Sequence, residues 1–223
     1  MARVRSGHER CVTLAAAFKL PHFEAGLKIG LFGGSFNPPH EGHRAASLLA
    51  LRRLGLDWVW WLVSPGNPLK DTHLLPPLAT RIAAARALAQ HPRIVVSGIE
   101  ATIGTRYTYE TIAYLTQRCP GVHFVWIMGA DNLAGFHRWK RWRDIATLVP
   151  IAVVDRPGST WSAIHSPAGA LLSRYRFEES SGRAFALARP PAFIFLHGPR
   201  SPLSSTALRA KGDLSAVALR KGS

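Results

Sequence analysis

Acidic residues, cysteines and long apolar runs are all scarce in this chain. Asp and Glu number 13 against 28 Lys and Arg, so the formal net charge is +15. No carboxylate cluster suggests a dedicated metal site, and none is assigned. The charge balance favours anionic partners. The two cysteines, Cys11 and Cys119, are far apart with no metal-type spacing, which points to a reducing, cytoplasmic setting. No apolar stretch approaches the roughly 20 residues that a membrane helix needs, so no membrane association is expected. Residues 1–26 lack the apolar stretch and small-residue cleavage site of a secretory signal. There is no RNP-type aromatic motif, zinc knuckle or long basic run. The positive charge is therefore read as serving small anions and not nucleic acid. Internal repeats, the Gly-Lys-Ser/Thr of a P-loop and the G-x-G-x-x-G dinucleotide fingerprint are also absent.

What remains is 223 residues, 47% of them hydrophobic, enough for one globular domain with a proper core. The most informative stretch is Ile29-Gly-Leu-Phe-Gly-Gly-Ser-Phe-Asn-Pro-Pro-His-Glu-Gly-His43. Residues 27–32 read as a short buried strand that Gly33 and Gly34 end. Asn37-Pro38-Pro39 continues neither a strand nor a helix. Residues 44–54 have leucine and alanine at helical spacing. The segment is thus strand, Gly/Pro loop and helix N-terminus, with His40 and His43 three residues apart at the entry. A helix N-terminus offers unpaired N–H groups and partial positive charge, which suit phosphate. Residues three apart share a helix face, so both histidines can address one anion.

Further strands are expected at 58–63, 93–97, 122–128, 150–154 and 192–196. Helices are expected at 80–90, 108–118, 131–136, 139–147 and from 205 to 210. Trp58, Trp60, Trp61 and Trp142 read as packing residues. Strands alternating with helices imply an α/β fold with a doubly wound parallel sheet. Such sheets bind ligands beyond the strand C-terminal ends, where strand order reverses. The informative segments 33–43, 64–70, 129–140 and 155–158 all follow strands. Residues 158–191, rich in Ser, Gly, Pro and Ala, read as the most loop-like internal region.

Gly33-Gly-Ser-Phe-Asn-Pro-Pro-His-Glu-Gly-His43 resembles the G-x-F-x-P-x-H-x-G-H signature of the nucleotidyltransferases related to class I aminoacyl-tRNA synthetases. Ser204-Ser205-Thr206-Ala207-Leu208-Arg209 resembles that superfamily's S-S-T-x-I/L-R motif. Three further segments are similar to bacterial nicotinate mononucleotide adenylyltransferases. They are Tyr107-Thr108-Tyr109-Glu110-Thr111 (Y-T-x-x-T), Gly129-Ala-Asp131 through Trp139-Lys140-Arg141-Trp142 (G-x-D-x-L…F-x-x-W), and Asp155-Arg156-Pro157-Gly158 (R-P-G). The resemblance covers about residues 27–210. It departs at Leu69, where the family often has histidine, though Lys70 next to it still supplies a cation. The implied fold is the superfamily's Rossmann-like, doubly wound parallel sheet. The implied organisation is a flexible basic extension at 1–26, a single nucleotidyltransferase domain at 27–210 and a C-terminal tail at 211–223.

The resemblance implies transfer of the adenylyl group of ATP to nicotinate mononucleotide, giving nicotinate adenine dinucleotide and pyrophosphate, a step of NAD biosynthesis. The attacking phosphate is already an anion, so no general base or nucleophilic Ser or Cys is needed. Cations, histidines and backbone N–H groups must hold two polyanions in line. His40 and His43 are assigned to the ATP phosphates, with His43 closest to the reacting phosphorus; their protonation state is left open. Gly33, Gly34, Ser35 and Phe36 would let the backbone approach the nucleotide. Ser204, Ser205 and Thr206 begin a helix, where they can cap it and bind phosphate together. Arg209 lies on the same helical face as Ser205 and can reach the β- and γ-phosphates. Asp131, otherwise a helix N-cap, and Arg156 complete the ATP set. For the mononucleotide, Trp139 would stack on the pyridine ring. Thr108 would present its backbone N–H to the nicotinate carboxylate. Asn67, Lys70 and Lys140 are grouped with them, the first two at the phosphate. Mg²⁺ is expected as the ATP complex. The chain is compatible with a homo-oligomer. The competing readings are a relative preferring nicotinamide mononucleotide, and a non-catalytic nucleotide sensor or nucleic-acid-binding relative.

Overall fold

The structure, a computed structural model, describes residues 15–66, 75–155 and 160–198. Seven strands form among the described residues, most of them from apolar runs too short for helices, and are named in chain order. They are β1 (Lys28–Gly34), β2 (Trp58–Val63), β3 (Ile94–Ser97), β4 (His123–Gly129), β5 (Ile151–Val154), β6 (Arg176–Phe177) and β7 (Phe193–Leu196). All pair in parallel in the order β3-β2-β1-β4-β5-β7-β6. The chain moves outward from β1 to β3, then crosses back to place β4 on the other side of β1. Strand order therefore reverses between β1 and β4, the position at which a doubly wound sheet opens a crevice.

Helices among the described residues include α1 (Glu41–Arg53), α2 (Leu78–Ala89), α3 (Ile99–Ile103), α4 (Thr108–Arg118), α5 (Ala130–Gly135), α6 (Trp142–Leu148), α7 (Thr160–Ile164), α8 (Pro167–Leu172) and α9 (Gly182–Phe185). Successive strand residues face opposite layers. Phe32, Trp61, Val125 and Ile127 pack on the side of α1, α2 and α9. Leu31, Trp60, Trp126 and Met128 pack on the side of α3 to α8. Burial on both faces explains why these strands read as continuous apolar runs and not as alternating ones. Trp60 and Trp61 have no exposed surface, as expected for packing residues.

Residues 158–191 are not loop-like where they are described. They hold α7, α8, α9, two 3₁₀ turns and the edge strand β6, which six-strand counting from sequence missed. The small residues that suggested a loop serve close contact instead. Ser166 caps α8 by accepting from Gly169 N–H at 3.0 Å, with Pro167 at the first helical position. A Cβ on Gly169 would lie 2.2 Å from the Ala163 carbonyl oxygen. Within 1–26, Ala17 is buried, and its carbonyl accepts from Gly98 N–H at 2.8 Å. Phe18 and Leu20 pack against the body. The expected helix at 205–210 lies outside the described residues.

Candidate functional site

β1 delivers the chain to the reversal point, and its last two glycines differ in purpose. A Cβ on Gly33 would stand 2.5 Å from Cη2 of the buried Trp126, whereas one on Gly34 would meet nothing closer than Phe36 at 3.4 Å. Gly33 is therefore required for close packing of β1 beside Trp126. Gly33→Ala is expected to destabilise the fold by about 1–3 kcal/mol, the range for overpacking a tight core. Gly34→Ala should stay near wild type in the same denaturant titration, and equal losses would contradict this distinction.

Phe36 follows with φ +47°, in the left-handed region that an aromatic residue rarely adopts. That backbone turns its ring inward, where it is buried and stacks on Trp61 at 5.0 Å and 22°. The same ring lies 4.8 Å from that of His43. Trp61 Nε1 donates to Ser47 Oγ at 2.7 Å, and Ser47 Oγ donates to the His43 carbonyl at 2.9 Å. Phe36, Trp61 and Ser47 thus make a floor beneath His43. Trp61 and Ser47 carried no signal in the sequence beyond apolar and helical patterning.

His40 occupies the N-cap of α1 in extended geometry and is 5% exposed; His43 is the third helical residue and half-buried. Their ring centroids are 3.8 Å apart. The two residues interlock, with His43 N–H donating to His40 O at 2.9 Å and His40 N–H donating to the ring Nδ1 of His43 at 3.1 Å. The second bond answers part of the protonation question. Nδ1 acts as an acceptor, so in the neutral ring the proton sits on Nε2, which becomes the donor. The two N–H groups of α1 ahead of His43, on Glu41 and Gly42, have no intrahelical acceptor by the geometry of a helix start.

Thr108 and Trp139, the residues expected at the mononucleotide, lie on two segments distant in sequence. Thr108 is the first residue of α4, after Tyr107 in extended geometry (φ −120°, ψ 140°), and no side chain caps this helix. Trp139 follows a 3₁₀ turn at Phe136–Arg138 and is half-buried. It packs edge-on against Trp126 at 6.3 Å and Phe136 at 5.3 Å. The two segments are braced together. Lys140 Nζ lies 3.2 Å from Glu110 Oε1 and 4.0 Å above the Tyr107 ring, and the Arg141 guanidinium lies 3.7 Å from the Tyr109 ring. The Lys140 charge is thus engaged by α4. Asp131 is exposed at the second position of α5, where an acidic group suits the helix dipole; the N-cap is Gly129, not Asp131. Trp142 packs against Phe136, as expected for a core residue. Asn67, Lys70, Arg156, Ser204, Ser205, Thr206 and Arg209 lie outside the described residues.

Glu100 was missed by sequence reading. It sits almost fully buried in the first turn of α3 and accepts from the Thr111 hydroxyl at 3.0 Å. Thr105 bonds both to Thr111 and to the Glu100 backbone, so this carboxyl underlies the turn into Thr108. Burial raises its pKa to about 7, against the lowering effect of the Thr111 hydrogen bond. The folded state therefore keeps a proton that the unfolded chain releases near 4.5, and stability falls as pH rises between those values. Glu100→Gln, which keeps the acceptor and removes the charge, is expected to gain about 2–3 kcal/mol at pH 8. The gain should shrink to a few tenths near pH 4. Thermal unfolding across pH checks this, and a pH-independent difference would contradict it.

A cavity of about 750 Å³ at the opposite end of the strands, lined in part by Lys28, Asp57, Arg93 and Arg183, contains none of these site residues. Among the described residues no helix is long and apolar enough to cross a membrane.

Residues 31–211 match the cytidylyltransferase-like family. The chain is 56% identical over 185 residues to a protein of Methylorubrum extorquens (strain PA1) named "Probable nicotinate-nucleotide adenylyltransferase", covering 83% of this chain and 100% of that one. It is 53% identical over 195 residues to a protein of the same name from Mesorhizobium japonicum, covering 86% of this chain and 100% of the other. A Plasmodium falciparum nicotinic acid mononucleotide adenylyltransferase complexed with NaAD shares the fold at TM-score 0.62 and 15% identity, over 82% of this chain and 83% of that one. With relatives this similar over nearly their full lengths, the chain belongs to the nicotinate-nucleotide adenylyltransferases of the cytidylyltransferase-like family.

Proposed function

We propose that this protein transfers the adenylyl group of ATP to nicotinate mononucleotide, producing nicotinate adenine dinucleotide and pyrophosphate for NAD biosynthesis. One observation carries most of the reading. The interlocked His40–His43 pair sits at the N-terminus of α1, at the strand-order reversal. Donors gathered at that point suit a phosphate chain. A phosphate oxygen of the mononucleotide attacks the α-phosphorus of ATP. The bond from that phosphorus to the bridging oxygen breaks, and its electron pair leaves with pyrophosphate. The protein's task is alignment and charge stabilisation.

In this reading His43 donates from Nε2 to the α-phosphate, and His40 helps hold the chain of phosphates. The backbone at Gly33–Phe36 lines the nucleotide, with Asp131, Arg156, Ser204, Ser205, Thr206 and Arg209 completing the ATP side. On the other side Trp139 stacks on the pyridine, and the Thr108 N–H meets its carboxylate. Asn67 and Lys70 serve the phosphate. Lys140 acts there by bracing the Trp139 segment against α4. Mg²⁺ would enter on the ATP phosphates and neutralise charge there, since it keeps phosphate and water ligands and requires few from protein. A cytoplasmic location and a homo-oligomer are proposed on the same footing.

Incubation with ATP, Mg²⁺ and either nicotinate or nicotinamide mononucleotide tests this, with pyrophosphate and dinucleotide quantified. Turnover confined to the acid supports both reaction and pocket. Equal turnover with the amide would overturn the acceptor assignment, and none with either would overturn the function.

A further inference from the structure

Arg81 is the least exposed charged residue among the described residues, at 3% exposure. It lies in the first turn of α2, where the helix dipole disfavours a cation. Burial also works against its charge. Two unfavourable terms at one residue call for strong compensation, and the hydrogen bonds supply it. Nη1 donates to the Ser35 carbonyl at 2.7 Å and to the Ser64 carbonyl at 2.7 Å. Nη2 donates to the Pro65 carbonyl at 3.1 Å, and Nε to the Pro76 carbonyl at 3.0 Å. All its acceptors among the described residues are backbone carbonyls from three separate segments.

Those segments are the loop after β1, the loop after β2 and the entry to α2. The first leads within five residues to His40. The second leads directly into 67–70, proposed above for the mononucleotide phosphate. Ser64 N–H also bonds the Gly34 carbonyl at 2.9 Å, which carries the β1–β2 pairing to the point where Arg81 takes over. We infer that Arg81 is a positioning residue for the transfer reaction: its guanidinium locks the ATP-side loop to the acceptor-side loop, setting the attacking phosphate in line with the α-phosphorus. Only a guanidinium has the planar fork that reaches four carbonyls in different directions; a lysine ammonium has three donors on one atom. The inference rests on the proposed function for the identity of the two ligands, but the loop coupling itself does not.

The test uses Arg81→Lys and Arg81→Ala in the full chain. Arg81→Lys is expected to lower kcat about 10- to 100-fold in a protein that still folds, since a misplacement of about 1 Å costs that much in rate. It should also lower the melting temperature, since the ammonium cannot satisfy all four carbonyls. Amide exchange at residues 35–40 and 64–66 should accelerate together. Methylguanidinium, below denaturing concentration, should restore part of the turnover of Arg81→Ala and none of that of Arg81→Lys, whose side chain fills the space. Wild-type kcat in Arg81→Lys, or exchange rising in one loop alone, would overturn the inference. If the wild-type protein itself turns over neither mononucleotide, the proposed function fails, while the exchange comparison still decides whether Arg81 couples the loops.

Discussion

Replacing His43 by alanine is expected to lower kcat by a factor of about 10²–10³, the typical loss of one donor aimed at developing charge in a preorganised site. The KM for ATP should change far less, because the other phosphate-binding groups remain. The structure explains why the effect should be this large. The ring is packed by Phe36, lies beside Trp61 and His40, and has its Nδ1 occupied by the His40 N–H. Orientation and tautomer are thus set before substrate arrives, so little reorganisation is needed at the moment of transfer. Far-ultraviolet circular dichroism and a melting curve on the same sample separate lost chemistry from lost fold. Near-normal kcat in a folded His43→Ala protein would remove this residue from the reaction.

Thr108→Pro is expected to reduce kcat/KM for nicotinate mononucleotide by about 10- to 100-fold, while leaving any turnover of nicotinamide mononucleotide nearly unchanged. Proline is well accepted at the first position of a helix, which is where Thr108 stands. Tyr107 already has the extended backbone that a residue before proline prefers. The substitution therefore removes one N–H group with little disturbance of α4. The loss follows from deleting a hydrogen bond to a charged acceptor, worth roughly 1.5–3 kcal/mol. Thr108→Ala keeps the N–H and should retain the discrimination. If Thr108→Pro affects acid and amide equally, the carboxylate is recognised elsewhere; if Thr108→Ala loses discrimination, the hydroxyl is responsible.

The paired histidines were legible because a Gly/Pro loop between a strand and a helix leaves a local trace in the chain. The parallel sheet was legible for a similar reason: strands buried on both faces read as unbroken apolar runs, as at Trp58–Val63. Residues 158–191 misled, because Ser, Gly and Ala serve a loose loop and a tight contact equally well. Contacts in the fold, such as the approach of Gly169 to the Ala163 carbonyl, distinguish the two.

Arg81 and Glu100 carried no signal at all. In sequence, one is an arginine in an alanine-rich helix and the other an ordinary glutamate. Their burial depends on loops and helices that come together only in the folded protein. The sequence by itself determined the alternation of elements, the family motifs and which groups are candidates to meet phosphate. Tertiary structure alone decided which tautomer His43 adopts, which cation ties two loops together and which carboxyl is forced to hold a proton. Local patterns encode backbone conformation over a few residues, whereas desolvation and long-range hydrogen bonding depend on what the completed fold brings alongside each group.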